Sequence, residues 1–166
     1  MEHILTRCKA EPREVAWNLA NELWRRRSNT PLPTRLGDII GCGLANFKTD
    51  EKPDRGKNRL YRILVSETAY LIWKMRNERR IRDEDHVTSS ASETRNRWVH
   101  ALNKRLTIDR ALTNDWRFGK RALDKQLIKY TWKGCIENEE DLPNNWVHAM
   151  GVLVSISTTC PSGRNQ

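Results

Sequence analysis

The sequence predicts a mostly α-helical fold: an irregular bundle of four to six helices around a buried central helix, with a short extended C-terminal segment. The central helix is predicted over residues 57–85, where apolar residues recur three and four positions apart. Further apolar residues cover much of the remaining circumference, and a helix that is apolar nearly all round packs between other helices. The main apolar strip of this helix consists of Leu60, Ile63, Leu64, Leu71, Ile72 and Met75.

The chain length of 166 residues fits one domain. We expect a single helical domain over residues 1–158, beginning with a short lead-in over residues 1–10, and a disordered tail over residues 159–166. The first helix is predicted at residues 12–27, because Val15, Leu19 and Leu23 line one face. We expect a short helix at residues 34–41, followed by a tightly packed turn or a second short helix. Gly37, Gly41 and Gly43 disfavour one long helix, since each glycine inside a helix costs roughly 1 kcal/mol relative to alanine.

The second half of the chain predicts one long helix and one short helix. A charged, exposed loop at residues 48–58 precedes the central helix. Ser90 and Glu93 have the spacing of a capping box, which predicts that a helix of residues 91–113 begins there. Residues 113–122 interrupt the helical pattern. The short helix is indicated by Leu123, Leu127, Ile128 and Trp132, and the extended segment by the alternation of Val152, Val154 and Ile156.

Composition points to a basic protein of the cell interior. Lys and Arg number 30 against 21 Asp and Glu, a net charge of +9. This charge is compatible with a nucleic-acid partner and equally with a solvated basic surface. Four isolated cysteines, the lack of a secretory signal and the lack of an apolar span of membrane length favour an intracellular protein, nuclear or cytoplasmic. Most of the seven tryptophans should lie in the core.

The end of the central helix carries the first candidate nucleic-acid contact. Four arginines in its last turns would track a phosphate backbone if they pointed outward on one continuous positive face. The alternative is a solvated helix end whose cations suit the negative pole of the helix. These arginines are Arg76, Arg79, Arg80 and Arg82.

The second candidate contact lies where the helical pattern is interrupted. Trp116 and Phe118 alternate there with Arg117, Lys120 and Arg121. Aromatic rings interleaved with positive charge suit stacking on unpaired bases. The alternative is a loop whose aromatic side chains fill the core.

Glu67 is the unusual residue of the central helix, because it lies on the apolar strip. A buried carboxylate costs several kcal/mol without a partner, so we expect a structural ion pair with Arg95, Arg97 or Arg110. The functional alternative is a catalytic acid with a raised pKa, acting with a histidine. We expect the structural role and no catalytic residue.

His3 and Cys8 have the H-x4-C spacing of one half of a zinc site. Structural zinc needs four ligands, and no CxxC pair precedes these two residues. We therefore expect no metal and no cofactor unless the missing ligands come from another chain. The sequence also contains no Walker loop, HExxH, nucleophile elbow or dinucleotide fingerprint.

Several stretches together resemble the C-terminal region of fungal retroelement-type proteins that contain reverse transcriptase and ribonuclease H domains. EHILTRC resembles the end of the zinc-binding segment of such proteins, and the resemblance continues through LGDIIGCGLANFK, KNRLYRILVSETAYLIWKMRNER, RNRWVHALNKRLTIDRALTN and LPNNW. In that family an upstream CxxC supplies the first two zinc ligands, which are missing here. Residues 1–10 would then be the remnant of a zinc-binding segment.

The resemblance implies a non-catalytic accessory module, because catalysis in this family belongs to upstream domains whose acidic residues have no counterpart here. Nucleic acid, or the upstream domains of a larger parent protein, would be its partner. Two alternatives are a protein-interaction or scaffold domain and a degenerate gene fragment without activity of its own. A small enzyme that uses Glu67 and a histidine is a third.

Overall fold

The computed structural model describes residues 3–7, 11–81 and 89–156. Within these ranges the chain forms six α-helices and one two-stranded β-hairpin, so the mostly α-helical prediction is confirmed. The helices are α1 (Glu11–Arg25), α2 (Leu36–Ile40), α3 (Arg55–Ile81), α4 (Ala91–Ala111), α5 (Asp115–Phe118) and α6 (Lys125–Trp132). The strands are β1 (Lys48–Thr49) and β2 (Lys52–Pro53).

Helix α3 is the central element, as predicted. Its side chains Leu60, Leu64 and Val65 are fully buried. It packs against α1, α4 and α6, and α1 also packs against α4. With 27 residues α3 is about 40 Å long, which allows one helix to line the whole core.

The start of α3 is held by Asp54. Its carboxylate accepts hydrogen bonds from the Lys57 backbone N–H at 2.7 Å, the Thr49 hydroxyl at 3.0 Å and the Tyr130 hydroxyl at 3.1 Å. Burial acts to raise the pKa of Asp54, but these bonds outweigh it and hold the pKa below its usual value. Because Asp54 caps the helix, α3 begins two residues earlier than the apolar pattern predicted.

The predicted charged loop before α3 is instead the β1–β2 hairpin. Thr49 pairs with Lys52, and the two residues of its turn, Asp50 and Glu51, have φ angles of 50° and 63°. Positive φ at both positions is the signature of the tight turns that match the twist of a hairpin. The hairpin places the Phe47 ring 4.9 Å from the ring of Trp24, which closes one side of the core.

Helix α4 begins as the sequence predicted. The Ser90 hydroxyl accepts a hydrogen bond from the Glu93 backbone N–H at 3.1 Å. Farther along, the Trp98 indole donates to the Thr68 hydroxyl of α3 at 2.8 Å, and both side chains are fully buried. The two helices run antiparallel, since residues near the start of α4 meet the later part of α3.

The C-terminal segment closes the core beside α4. Val154 forms an antiparallel bridge with Ile136, and its N–H donates to the Asn103 side chain at 2.7 Å. The extended prediction therefore holds at Val154, whereas Trp146–His148 forms a 3-10 turn. Short 3-10 turns also occur at Cys42–Leu44, Gly119–Arg121 and Glu139–Asp141. The predicted disordered tail, residues 159–166, lies outside the described ranges.

The N-terminal lead-in packs on the core over the residues that are described. His3–Arg7 forms a single turn of π-helix, Leu5 is buried, and its carbonyl accepts a hydrogen bond from the Trp17 indole at 2.9 Å. Five of the seven tryptophans are buried, and Trp73 and Trp116 are exposed. None of the helices in the described ranges has the length and apolar character that a membrane crossing requires.

Candidate nucleic-acid interface

Residues 113–122 form a turn that leaves the helical core and returns to it, which we call the basic turn. Its ends are joined by a hydrogen bond from the Leu123 N–H to the Leu112 carbonyl at 2.9 Å. At its start, Thr113 is fully buried and its hydroxyl donates to the Arg110 carbonyl at 2.7 Å. The Asn114 side chain caps α5 by accepting the Arg117 N–H at 3.0 Å. The turn is therefore anchored at its base.

The basic turn presents an aromatic ring and three cations to solvent. Trp116 is 95% exposed, and Arg117, Lys120 and Arg121 are all exposed. None of the three cations forms an ion pair with a described residue. The acidic residue of the turn, Asp115, is already paired with Lys125 at 2.8 Å. Of the two interpretations of this segment, the one in which Trp116 fills the core is wrong.

An indole that is almost fully in water is unusual because the apolar ring gains so much from burial. Phe118 behaves differently, since it is half-buried and its ring lies 5.6 Å from the Arg117 guanidinium. This contact holds the Arg117 guanidinium over the Phe118 ring, next to Trp116 in the sequence. The arrangement offers a flat apolar surface for stacking and adjacent positive charge for phosphate.

The arginines at the end of α3 do not form the single outward-facing positive face that the sequence predicted. Arg80 is exposed, but Arg76 and Arg79 are half-buried. The Nε atom of Arg79 is enclosed and finds no acceptor among the described residues. The physical reason is the helical period: Arg79 lies seven residues after Ile72, on the same buried strip. Arg82 lies outside the described residues.

The two basic clusters lie at opposite ends of the α3–α4 pair. Glu78 of α3 pairs with Arg97 near the start of α4 at 2.6 Å, whereas Arg59 of α3 pairs with Asp109 near its end. Arg76 lies 17 positions after Arg59, a separation of about 25 Å along the helix. The basic turn follows the end of α4, so the structure separates it from the α3 arginines.

Glu67 is half-buried rather than sealed in the core. The predicted ion pair is wrong for two of its three candidate partners, Arg97 and Arg110. Arg97 pairs with Glu78, and Arg110 donates to the backbone carbonyl of Val147 at 2.9 Å. Burial raises the pKa of Glu67, and the positive charges of nearby Arg105 and Lys104 only partly offset it. Among the described residues no group donates a hydrogen bond to this carboxylate.

The space around Glu67 is a groove between α3 and α4 with a volume of about 490 Å³. His100 and Lys104 of α4 line the groove together with Glu67. The sequence predicted a sealed acid because Glu67 shares the spacing of the apolar strip. The groove that Glu67 lines is open between the two helices, and the small Ala101 is among the α4 residues that line it.

Among the described residues the fully buried acid is Asp109, which sequence reasoning missed. Arg59 donates two hydrogen bonds to its carboxylate, one of them at 2.7 Å. The Trp132 indole donates a third at 3.0 Å, and Arg105 lies at 3.4 Å. Asp109 therefore joins α3, α4 and α6. In the sequence it follows Arg105 by four residues, a spacing typical of an exposed surface pair, so only the packing reveals its role.

The predicted metal-ligating pair forms no site that the structure describes. His3 is exposed, and Cys8 lies outside the described residues. No cluster of three or more His, Cys, Asp or Glu side chains suited to a metal ion occurs within residues 3–7, 11–81 and 89–156.

Comparison of this chain with protein-family models, with curated proteins and with solved structures yields no match in any of the three.

Proposed function

We propose that this domain is a non-catalytic module that binds single-stranded nucleic acid through the basic turn. The observation that carries the proposal is Trp116, 95% exposed beside three cations without an ion pair to a described residue. Resemblance to retroelement-type proteins supports the same role, as an accessory part of a larger reverse transcriptase or ribonuclease H-type protein.

The chemistry of the turn favours unpaired bases over a duplex. An exposed indole offers a stacking surface to any base, but the bases of a duplex already stack on each other. Arg117, Lys120 and Arg121 then neutralise the phosphates on either side of the stacked base. Arg80, exposed at the far end of α3, would contribute only to a strand long enough to reach it.

A protein partner is the second candidate, and a separate surface favours it. Ile40 at the end of α2 is 73% exposed, and Leu44 in the following 3-10 turn is 89% exposed. A contiguous exposed apolar patch of more than a few hundred Å² is typical of a protein-binding surface, and these two side chains lie four residues apart in the sequence. The enzyme alternative requires Glu67 to meet a second polar group in a pocket, and Glu67 and His100 do line the same groove. We assign Glu67 no catalytic role because no hydrogen bond orients it toward His100.

The proposal is tested by fluorescence anisotropy with labelled single-stranded DNA, single-stranded RNA and duplex DNA at two salt concentrations. Stacking on one base is worth about 1–3 kcal/mol, so Trp116→Ala should weaken single-strand binding roughly 5- to 150-fold. Replacing Arg117, Lys120 and Arg121 by glutamine should reduce the salt slope by about 2, since three phosphate contacts contribute about −0.7 each on a single strand.

Matched controls separate the turn from the general charge of the protein. The triple variant Lys48→Gln, Lys52→Gln and Lys133→Gln removes the same charge from exposed positions elsewhere. Leu44→Ala removes an exposed apolar side chain and tests the protein-binding surface instead. The proposal fails if Trp116→Ala binds like the unmodified protein, or if the two triple variants lose affinity equally.

A further inference from the structure

The groove between α3 and α4 combines an apolar base with a charged rim. Leu71 is buried and Ala101 half-buried at its base, while Tyr70 and Lys74 are exposed along the α3 side and Lys104 along the α4 side. Neither Tyr70 nor Lys104 has a hydrogen bond or ion pair with a described residue. Lys74 lies 3.9 Å from Glu78 in an exposed i,i+4 pair, so Tyr70 and Lys104 are the groove side chains most available to a ligand.

Glu67 sets the polarity of the groove. An ionised carboxylate accepts hydrogen bonds at both oxygens, and no described residue donates one to Glu67. A ligand that complements Glu67 presents hydrogen-bond donors, and two neighbouring N–H groups match its two oxygens. Because the rim around it is positive, the same ligand must also carry an anion that reaches Lys74 or Lys104.

Tyr70 adds a requirement for a flat ligand. Its ring is 58% exposed and lies 6.0 Å from the ring of Trp73, with an angle of 29° between the planes. Both rings belong to α3, so Trp73 supports Tyr70 at the edge of the groove. A planar ligand that enters beside Tyr70 gains apolar contact with little ordering of the protein.

We infer that this groove binds one guanine nucleotide of a single strand, with Glu67 accepting hydrogen bonds from the base. Guanine carries two neighbouring donors, N1–H and the N2 amino group, on one edge, and they match the two oxygens of a carboxylate. Adenine and cytosine place an acceptor beside their amino group, and uracil and thymine place acceptors on both sides of their one N–H. Lys74 and Lys104 line the same groove and supply positive charge for the phosphate of the nucleotide.

This inference deepens the proposed function and rests on it, because it adds a base preference to a strand held at the basic turn. The two sites differ in what they recognise. Trp116 stacks on any base, whereas the Glu67 carboxylate repels the carbonyl oxygens that uracil and thymine would point at it.

Calorimetric titration of the full chain with guanosine, adenosine, cytidine and uridine monophosphates tests the groove. We expect the guanine nucleotide to bind at least 10-fold more tightly than the other three. Glu67→Gln should abolish this preference, because its amide presents a donor where guanine also presents one. Lys104→Gln should weaken all four nucleotides alike. Glu137→Gln, at an exposed position outside the groove, is the matched control.

Binding of oligonucleotides tests whether the groove recognises a guanine within a strand as well as a free nucleotide. The same measurement distinguishes failure of this inference from failure of the proposed function. One central guanine in a thymidine oligonucleotide should raise affinity at least 5-fold, and Glu67→Gln should remove the gain without changing the binding of oligothymidine. Oligothymidine binding that depends on Trp116, without any gain from guanine, overturns the inference and leaves the proposed function standing. Failure of every strand to bind overturns both.

Discussion

Replacing Asp109 by asparagine tests whether the buried ion pair organises the fold. Asp109 is fully buried, and the side chain of Arg59 that pairs with it is only 16% exposed. Asparagine keeps the shape of the side chain but removes the charge and presents an amide donor toward the donors of Arg59 and Trp132. The variant therefore leaves a guanidinium in the interior without its counterion.

Removing one partner of a buried ion pair costs about 3–5 kcal/mol, because the remaining charge keeps its desolvation penalty. For a domain of this size each kcal/mol shifts the melting temperature by about 2–4 °C. We expect Asp109→Asn to lower the free energy of unfolding by about 3–5 kcal/mol and the melting temperature by roughly 6–20 °C. Urea unfolding followed by circular dichroism measures the first, and a thermal scan the second.

Asp115→Asn is the matched control, since Asp115 forms its ion pair with Lys125 while its side chain is 68% exposed. Pairs of that kind contribute about 0–1 kcal/mol. The double variant Arg59→Met, Asp109→Asn should recover part of the loss, because it no longer buries an unpaired charge. A loss below about 1 kcal/mol for Asp109→Asn, equal to that of the control, would refute the structural role of the pair.

Three further predictions test the packing and the titration of buried groups. A Cβ atom at Gly56 would lie 2.3 Å from Cδ1 of Tyr130, so Gly56→Ala should lower the free energy of unfolding by about 1–3 kcal/mol in urea, although alanine favours free helices. Burial raises the pKa of Cys135 to about 12, so with the other cysteines replaced by serine its thiol should react with a disulfide reagent at pH 8 only on unfolding. Burial raises the pKa of Glu67, so ionisation of this carboxyl destabilises the folded state. The contribution of protonated Glu67 to the free energy of unfolding is fully present below its ordinary pKa of 4.5 and is lost as the pH rises through its raised pKa in the folded state. Thermal scans should show Glu67→Gln to be more stable than the unmodified protein at pH 7, by under about 1 kcal/mol, and equal to it below pH 4.5. A difference in stability between the two proteins that is larger below pH 4.5 than at pH 7 would contradict this prediction.

The long helices could be predicted because their signal is repeated many times along the chain. Helix α3 shows its apolar spacing over several turns, and the Ser90 cap marks the start of α4 independently of that spacing. The β1–β2 hairpin could not be predicted in the same way, since its strands have two residues each. Asp50 and Glu51 also lack the glycine that marks most turns of this kind.

The candidate site was predicted in part: local sequence indicates which residue types lie together, but it does not indicate which side chains the fold buries. Alternating aromatic and basic residues marked the basic turn, but only the fold decides whether Trp116 faces solvent or core. The burial of Glu67 was mispredicted and that of Asp109 was missed, because the sequence neighbours of each residue do not reflect its surroundings in the fold. Glu67 lies on an apolar strip in the sequence yet lines the groove between α3 and α4, whereas Asp109 lies beside charged residues yet is enclosed by α3 and α6.

The structure divides the arginines of this basic protein into two groups with different roles. Arg59 and Arg110 use their several N–H donors to satisfy buried acceptors, which are the Asp109 carboxylate and the Val147 carbonyl. A polyanion cannot draw on these cations without breaking the core. Arg117 and Arg121 have no such acceptor among the described residues, so their charge is available to a phosphate. The net charge of +9 therefore exceeds the charge that is available to bind a polyanion. Substitutions at Arg117 and Arg121 should lower affinity for nucleic acid without unfolding the protein, whereas substitutions at Arg59 and Arg110 should destabilise the fold.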